Sequence, residues 1–314
     1  MRVHESEVVV VGSINLDFVV EVERIPTAGE TVRGSDLRYI PGGKGANQAV
    51  ASARLGRSTA LIGRVGYDNS GALLKQSVKS AGVATEGLMT TPGMPSGSAL
   101  IAVDASGDNA IVVSPGSNGK LSAADVKQHS NLLSTASVVL LQLEVPVEAV
   151  AAAVQCASSS IVILNPAPAP EEPLPNALLE QVDLLIPNQT EVAKLAGYDS
   201  PSDSDPVIDR STAVQLARKL PTKAVIVTLG ANGAAVVTDT ESTHIPAPKV
   251  TALDTTGAGD AFCAALADAL IDNASLTEAT RWATQVGAAT TMRAGAQPSL
   301  PTTAEVKELL KGDH

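Results

Sequence analysis

The stretch VVLLQLEVPVEAVAAAVQCASSSIVILN, residues 138–165, decides how this chain folds. It opens on one apolar run, Val138–Leu141, and closes on another, Ile161–Leu164. The alanine-rich segment Val147–Ala157 between them has the length and pattern of a helix. Two such runs bounding a helix read as strand, crossover and parallel strand. Strands that are apolar at successive positions, rather than at alternate ones, lie buried on both faces.

Outward from that unit the alternation continues. Further strands are predicted at Val8–Val11, Ala60–Ile62, Leu184–Ile186, Ala224–Thr228 and Ala234–Thr238. Helices are predicted at Ser70–Ala81, Ala123–Leu133, Glu191–Leu195, Thr212–Leu220, Gly257–Ile271, Leu276–Met292 and Ala304–Leu310. The expected fold is α/β: a doubly wound, mostly parallel sheet with helices on both faces, as one domain over residues 1–314. Two segments interrupt the pattern. Phe18–Ile40 has strand-like runs without helical periodicity, and 98–114 reads as SALIAVD and AIVVS joined by the turn-rich ASGDN. Together they predict a small β-sheet inserted at about 15–43 and 98–114. It is read as a lid over an active site, the alternative being an edge hairpin of the main sheet.

Composition narrows the function. The chain is 44% hydrophobic and 18% charged, with a net charge of -11. That is a globular composition without a basic stripe, so nucleic acid is not expected as a partner. Cys156 and Cys263 lack metal-ligand spacing and sit in apolar runs, where a thiol reads as a small core residue. The scattered histidines form no ligand pattern. The apolar run at the N-terminus is too short for a signal core or a membrane span, so a soluble, cytoplasmic protein with no membrane partner is expected.

The strongest chemical motif is DTTGAGDAF at Asp254–Phe262, just before the apolar run AFCAALADALI. Gly257 and Gly259 let backbone N–H groups converge at a helix N-terminus, where phosphoryl charge is stabilised. Asp260 in that loop would repel a bound phosphate, yet it suits a base that takes a hydroxyl proton beside one. The alternative reading is an ordinary glycine-rich turn with an aspartate as helix cap. Gly42–Ala46 lacks Walker A spacing, and Gly257–Gly259 lacks the third glycine of a dinucleotide fingerprint.

Further blocks stand in order along nearly the whole chain: GSINLD (12–17), PGGKGANQA (41–49), QLE (142–144), NPAPA (165–169), PNQTE (187–191), VTLG (227–230) and GAQPS (295–299). With DTTGAGDAF they make the sequence resemble the ribokinase-like (PfkB) carbohydrate kinase family. GSINLD and GGKGANQA point to its ribose-phosphorylating branch. The resemblance implies an ATP-dependent sugar kinase acting on the 5-hydroxyl of D-ribose, with Mg²⁺ and K⁺ as cations and a homodimer formed through the lid strands.

The resemblance also assigns residues. Asp260 matches the catalytic base, and Gly257, Ala258 and Gly259 match the anion hole. Asn15, Asp17, Gly43, Lys44, Asn47 and Glu144 match the sugar site, with Asp260. Asn188, Glu191, Thr228, Gly230, Ala231, Asn232, Gly233, Gly259 and Thr284 match the nucleotide and magnesium side. Asp254, Thr256, Thr290, Arg293, Gly295 and Ser299 match a potassium site, several through backbone carbonyls. Thr284 stands where relatives often carry Asn or His near the adenine. Rival readings are a nucleoside, fructose or keto-sugar-acid kinase and a non-catalytic sugar-binding regulator. Only 2% of residues are aromatic, which weighs against base stacking. The retained Asp260 weighs against a mere binder.

Overall fold

The computed structural model describes residues 6–198 and 208–311. The strands are β1 Val8–Val11, β2 Asn15–Glu21, β3 Arg38–Gly42, β4 Thr59–Gly66, β5 Leu88–Thr91, β6 Gly97–Val103, β7 Asn109–Ser114, β8 Val138–Leu141, β9 Ile161–Leu164, β10 Leu184–Leu185, β11 Ala224–Thr228, β12 Ala234–Val237 and β13 Ser242–Ile245. The helices are α1 Lys44–Arg54, α2 Asn69–Ser80, α3 Ala123–Gln128, α4 Ser130–Thr135, α5 Val147–Cys156, α6 Asn176–Leu179, α7 Gln189–Leu195, α8 Arg210–Ala217, α9 Ala258–Ile271, α10 Leu276–Thr291, α11 Ala296–Ser299 and α12 Thr303–Leu309.

The large sheet has nine strands in the order β13-β12-β11-β10-β9-β8-β1-β4-β5. It is parallel from β5 to β11, and β12 and β13 add an antiparallel edge. Side chains of a strand alternate between faces, so β1 feeds two cores. Val8 and Val10 pack with Ile163, Phe262 and Ala283 on one face, and Val9 and Val11 pack with Val150, Val162 and Leu216 on the other. Chain order reverses around β1, and in such sheets ligands bind at the C-terminal strand ends beside the reversal. Gly12, Gln142, Asn165 and Asn188 all stand just beyond strand ends on that edge.

The second sheet has the order β3-β2-β6-β7. β2 and β6 are parallel, and the outer pairs are antiparallel. All of β7 is exposed, and Tyr39, Leu100, Ile111, Val112 and Val113 present apolar surface. The two interrupting segments therefore form a sheet of their own rather than an edge hairpin of the main one.

Several expectations need correction. The helix expected over Ala123–Leu133 is two helices, because His129 takes φ -108 and ψ 21 and ends α3. Gly257 is the cap of α9 rather than its first residue, with φ 79. α1 was not anticipated. Its apolar residues Ala46, Ala49, Val50 and Ala53 keep helical spacing, but the segment starts beside Gly43 and Gly45, which argue locally against a helix. β5 and β13 were also missed. β13 is a mostly exposed edge strand without the apolar signature of the interior strands. Cys263 is buried, and burial pushes its thiol pKa well up, as expected of an inert core residue. Among the described residues no helix is long and apolar enough to cross a membrane.

Candidate active site

β1 delivers Ser13 and, through the turn into β2, Asn15 and Asp17. Asn15 and Asp17 are two residues apart on β2 and so share a face. Asn118 clamps this turn. Its Nδ2 donates to Asn15 Oδ1 at 2.7 Å and to the Ile14 carbonyl at 3.1 Å, and its Oδ1 accepts from Ile14 N at 3.0 Å. The backbone packs as tightly as carbon allows. A Cβ on Gly97 would lie 2.1 Å from Asn118 Nδ2 and 2.3 Å from Asn15 Oδ1, and one on Gly43 would lie 2.7 Å from Asn15 N. Gly43 also has φ 88, a conformation that favours glycine.

Glu144 follows β8 and reaches across to α1. Its Oε2 accepts from Ser13 Oγ at 2.5 Å and from the Lys44 backbone N–H at 3.1 Å. The carboxylate thus sits at the positive end of an 11-residue helix. Burial, and then the charge of Glu144, raise the Asp17 carboxyl to about 7. The Lys44 ammonium lies within electrostatic reach of Asp260, Glu144 and Glu191. Burial would lower its pKa, but these carboxylates outweigh burial and raise it.

Asp260 lies in the first turn of α9 and is 6% exposed. Asn47 Nδ2 donates to its Oδ2 at 2.9 Å, and Gln48 Nε2 donates to its Oδ1 at 3.1 Å. Burial raises its pKa, against the pull of Lys44 and of these two amides. Asn47 Oδ1 is buried without a partner. The residues expected at the sugar site, Asn15, Asp17, Gly43, Lys44, Asn47, Glu144 and Asp260, are therefore brought together.

Beyond α9 lies an open cavity of about 670 Å³. Asn188, Thr228, Gly230, Ala231, Gly233, Ala258, Gly259 and Thr284 line it, as expected of the nucleotide side. Asn232 and Glu191 do not. The Asn232 carbonyl instead receives His244 Nε2 at 2.7 Å. Glu191 and Asn188 cap α7 reciprocally. Asn188 N donates to Glu191 Oε2, and Glu191 N donates to Asn188 Oδ1, each at 2.8 Å. Burial raises the Glu191 pKa, against the Asn188 N–H and Lys44. The Thr284 hydroxyl donates to the Arg281 carbonyl at 2.8 Å. A further wall comes from Ala247, Pro248, Val250 and Ala252, which carried no motif. A Cβ on Gly259 would meet nothing within 4 Å. Neither its packing nor its backbone angle demands glycine there, so the bare position leaves room at a helix N-terminus.

Behind this wall the loops before α9 and α11 meet. Asp254 accepts Thr256 N at 2.9 Å on one oxygen and Gly295 N at 2.7 Å on the other. Burial pushes its pKa up, but these hydrogen bonds outweigh it and hold the carboxyl low. The Arg293 N–H reaches the Thr290 carbonyl at 3.4 Å. The Arg293 guanidinium turns away to Glu305, and the Thr290 and Ser299 hydroxyls donate to the Val286 and Ala296 carbonyls. Sequence reasoning gave no role to Ser13, Gln48, Asn118, Gln142 or Asn165. Four of these lie inside the quoted blocks, and Asn118 carries no signal of its own.

The chain resembles known proteins over nearly its whole length. The family model for pfkB family carbohydrate kinase matches residues 5–303. The ribokinase of Haemophilus influenzae is 38% identical over 307 residues, covering 96% of this chain and 97% of the relative. That of Bacillus subtilis is 37% identical over 303 residues, covering 96% and 98%. Among solved structures, the Thermotoga maritima ribokinase superposes with a TM-score of 0.85 at 35% identity, over 98% of this chain and 99% of that one. An Arabidopsis thaliana ribokinase complexed with ribose and ATP gives 0.84 at 34% identity, over 98% and 99%. With its glycine-opened helix start, its buried aspartate and this full-length similarity, the chain belongs to the pfkB family of carbohydrate kinases.

Proposed function

We propose that the chain transfers the γ-phosphoryl group of ATP to the 5-hydroxyl of D-ribose, giving ribose 5-phosphate and ADP. The observation that carries this reading is the position of Asp260. It is a buried carboxylate between a cluster of polar groups suited to hydroxyls and a cavity whose wall includes the open Gly259. The ribokinase relatives, and the neighbour solved with ribose and ATP, support the substrate pair.

Ribose would pair its hydroxyls with Asn15, Asp17, Lys44, Asn47 and Glu144 and with the backbone at Gly43. Asn47 Oδ1, buried and unpartnered, suits a sugar hydroxyl donor. Asp260 takes the proton of the 5-hydroxyl as the oxygen attacks the γ-phosphorus. The bond from that phosphorus to the β–γ bridging oxygen breaks, and ADP leaves. The N–H groups of Gly257 and Gly259 at the start of α9 would face the charge on the transferring group, with Ala258 N donating to the Thr255 carbonyl at 3.2 Å until it is drawn to the phosphoryl oxygens. Thr228, Gly230, Ala231, Gly233 and Thr284, which line the cavity, would hold ATP.

Mg²⁺, held mainly by phosphate oxygens, would neutralise their charge, with Asn188 and Glu191 arranging its waters. Among the described residues no group of three His, Cys, Asp or Glu could hold a metal. That suits a cation which keeps its waters and its substrate oxygens. Thr256, Thr290, Arg293, Gly295 and Ser299, with Asp254, offer oxygens suited to K⁺, Arg293 through its carbonyl. The chain is read as one domain whose small sheet closes over the cleft. The exposed apolar face of β6 and β7 is read as the contact of a cytoplasmic homodimer.

The test is ADP release measured with ribose, deoxyribose, fructose and adenosine. Ribose is expected to give the highest kcat/KM. A higher value with adenosine or fructose would replace the substrate assignment.

A further inference from the structure

Gln48 and Gln142 are each 0% exposed, and neither belongs to the sugar site or the cavity. Buried amides at this cost need a directed use. Their direction can be read from a fixed start. The Ile186 carbonyl can only accept, and Asn165 Nδ2 donates to it at 2.8 Å. That turns Asn165 Oδ1 toward Gln48, whose Nε2 donates to it at 3.4 Å. Gln142 Nε2 donates to Gln48 Oε1 from the opposite side. The remaining Gln48 N–H donates to Asp260 Oδ1 at 3.1 Å. The chain of amides starts at a carbonyl and ends at a carboxylate, so every donor and acceptor in it has one consistent orientation.

A flipped Gln48 would set its oxygen against Asp260 and Asn165, and its nitrogen against the Gln142 nitrogen. All three contacts would turn repulsive. The Gln142 amide is itself confined. Its Oε1 has no hydrogen-bond partner and lies where a Cβ on Gly12 would come within 2.1 Å. The ends of β1, β8 and β9 and the chain after β10 thereby converge on one side chain of α1.

We infer that Gln48, oriented by Gln142 and Asn165, is a positioning residue that fixes the plane of the Asp260 carboxylate. One oxygen takes the Gln48 donor and the other takes the Asn47 donor. A donor on each oxygen restrains rotation of the carboxylate and leaves further lone pairs free to accept. A base held this way meets the hydroxyl proton in the orientation that transfer needs. Gln48 touches the base rather than the sugar or the phosphate, so its effect belongs to turnover rather than to sugar affinity. The inference rests on Asp260 being the base.

The experiment compares kcat and ribose KM for Gln48→Met, Gln142→Met and the double variant, with Asp260→Asn in parallel. Gln48→Met is expected to lower kcat by about 10–100-fold, with KM within about threefold. Gln142→Met should lower kcat by about 3–10-fold, and the double variant should be no slower than Gln48→Met alone, because both break one relay. A folded Gln48→Met with kcat within about twofold of the parent, or losses that multiply in the double variant, overturns the relay. Should Gln48→Met not fold, Gln142→Met and Asn165→Ser decide, and parent-like kcat in both overturns it. An inactive Asp260→Asn beside a normal Gln48→Met removes only the relay. An Asp260→Asn with parent turnover removes the base assignment and the relay together.

Discussion

On the sugar side of Asp260 the glycines are crowded, and on the nucleotide side one stands bare. Gly97 and Gly43 are closed in by Asn118, Asn15 and backbone, so that any side chain there would displace a polar group. Gly259 faces open space beside a largely apolar cavity. The first arrangement suits a small, hydroxyl-rich substrate that must be read atom by atom. A missing hydroxyl would leave a buried polar group unpaired, at a cost of about 1–3 kcal/mol. The second suits a larger ligand whose phosphate must approach helix N–H groups without obstruction. The same residue type therefore serves packing on one side and clearance on the other.

Asp260→Asn removes the proposed proton acceptor between the two halves, and the largest loss is expected there. Turnover should fall by about 10²–10⁴-fold while ribose affinity, measured by titration calorimetry, changes little. The pH profile should agree. A base works ionised, and burial raises the Asp260 pKa. The acid limb of kcat should therefore lie above the ordinary carboxylate range, with rate lost as pH falls through it. A limb at the ordinary value would show that burial does not control this group.

The glycine contrast is tested by two substitutions. Gly97→Ala should raise the ribose KM by about tenfold or more, a change of about 1.4 kcal/mol per decade, and leave the ATP KM near the parent value. Gly259→Ala should instead lower kcat. Because it replaces a helical glycine in open space, it should also raise stability by up to ~1 kcal/mol in a denaturant melt. If both variants lost stability equally, both glycines would be there for packing and the contrast would fail.

The smallest effect is expected from the cation. Asp254 ties the loop before α9 to Gly295. Replacing K⁺ with Na⁺ or a bulky organic cation at constant ionic strength should lower kcat several-fold without changing the ribose KM, since the loop rather than the sugar site is affected. A flat response removes the site. A K⁺ response unchanged in Asp254→Ala places the cation elsewhere.

The legibility of the sequence divides in a similar way. Val8–Val11, Val138–Leu141, Ile161–Leu164 and Ala224–Thr228 match their strands residue for residue, because burial on both faces leaves an unbroken apolar run. α1 escaped because its opening glycines argue locally against a helix, although Ala46, Ala49, Val50 and Ala53 keep helical spacing. Asp260 was legible because its glycines are adjacent to it. Its partner Gln48 was not, since Gln142 and Asn165, the latter held by the Ile186 carbonyl, reach it from strand ends far apart in the chain. Asn118 clamps Asn15 from a 3₁₀ turn 103 residues away, and no local pattern announces that contact.

The central claim, that Asp260 draws the proton from the 5-hydroxyl of ribose as ATP is cleaved, is tested most directly by ADP release with ribose and with 5-deoxyribose. Both sugars offer the same hydroxyls to Asn15, Asp17, Lys44 and Glu144, and they differ only in the acceptor oxygen. The account predicts rapid ADP release with ribose and, with 5-deoxyribose, none above the rate of ATP alone, while 5-deoxyribose competes with ribose for the site. Comparable ADP release with both sugars would contradict it, because the oxygen that receives the phosphoryl group would then be another one.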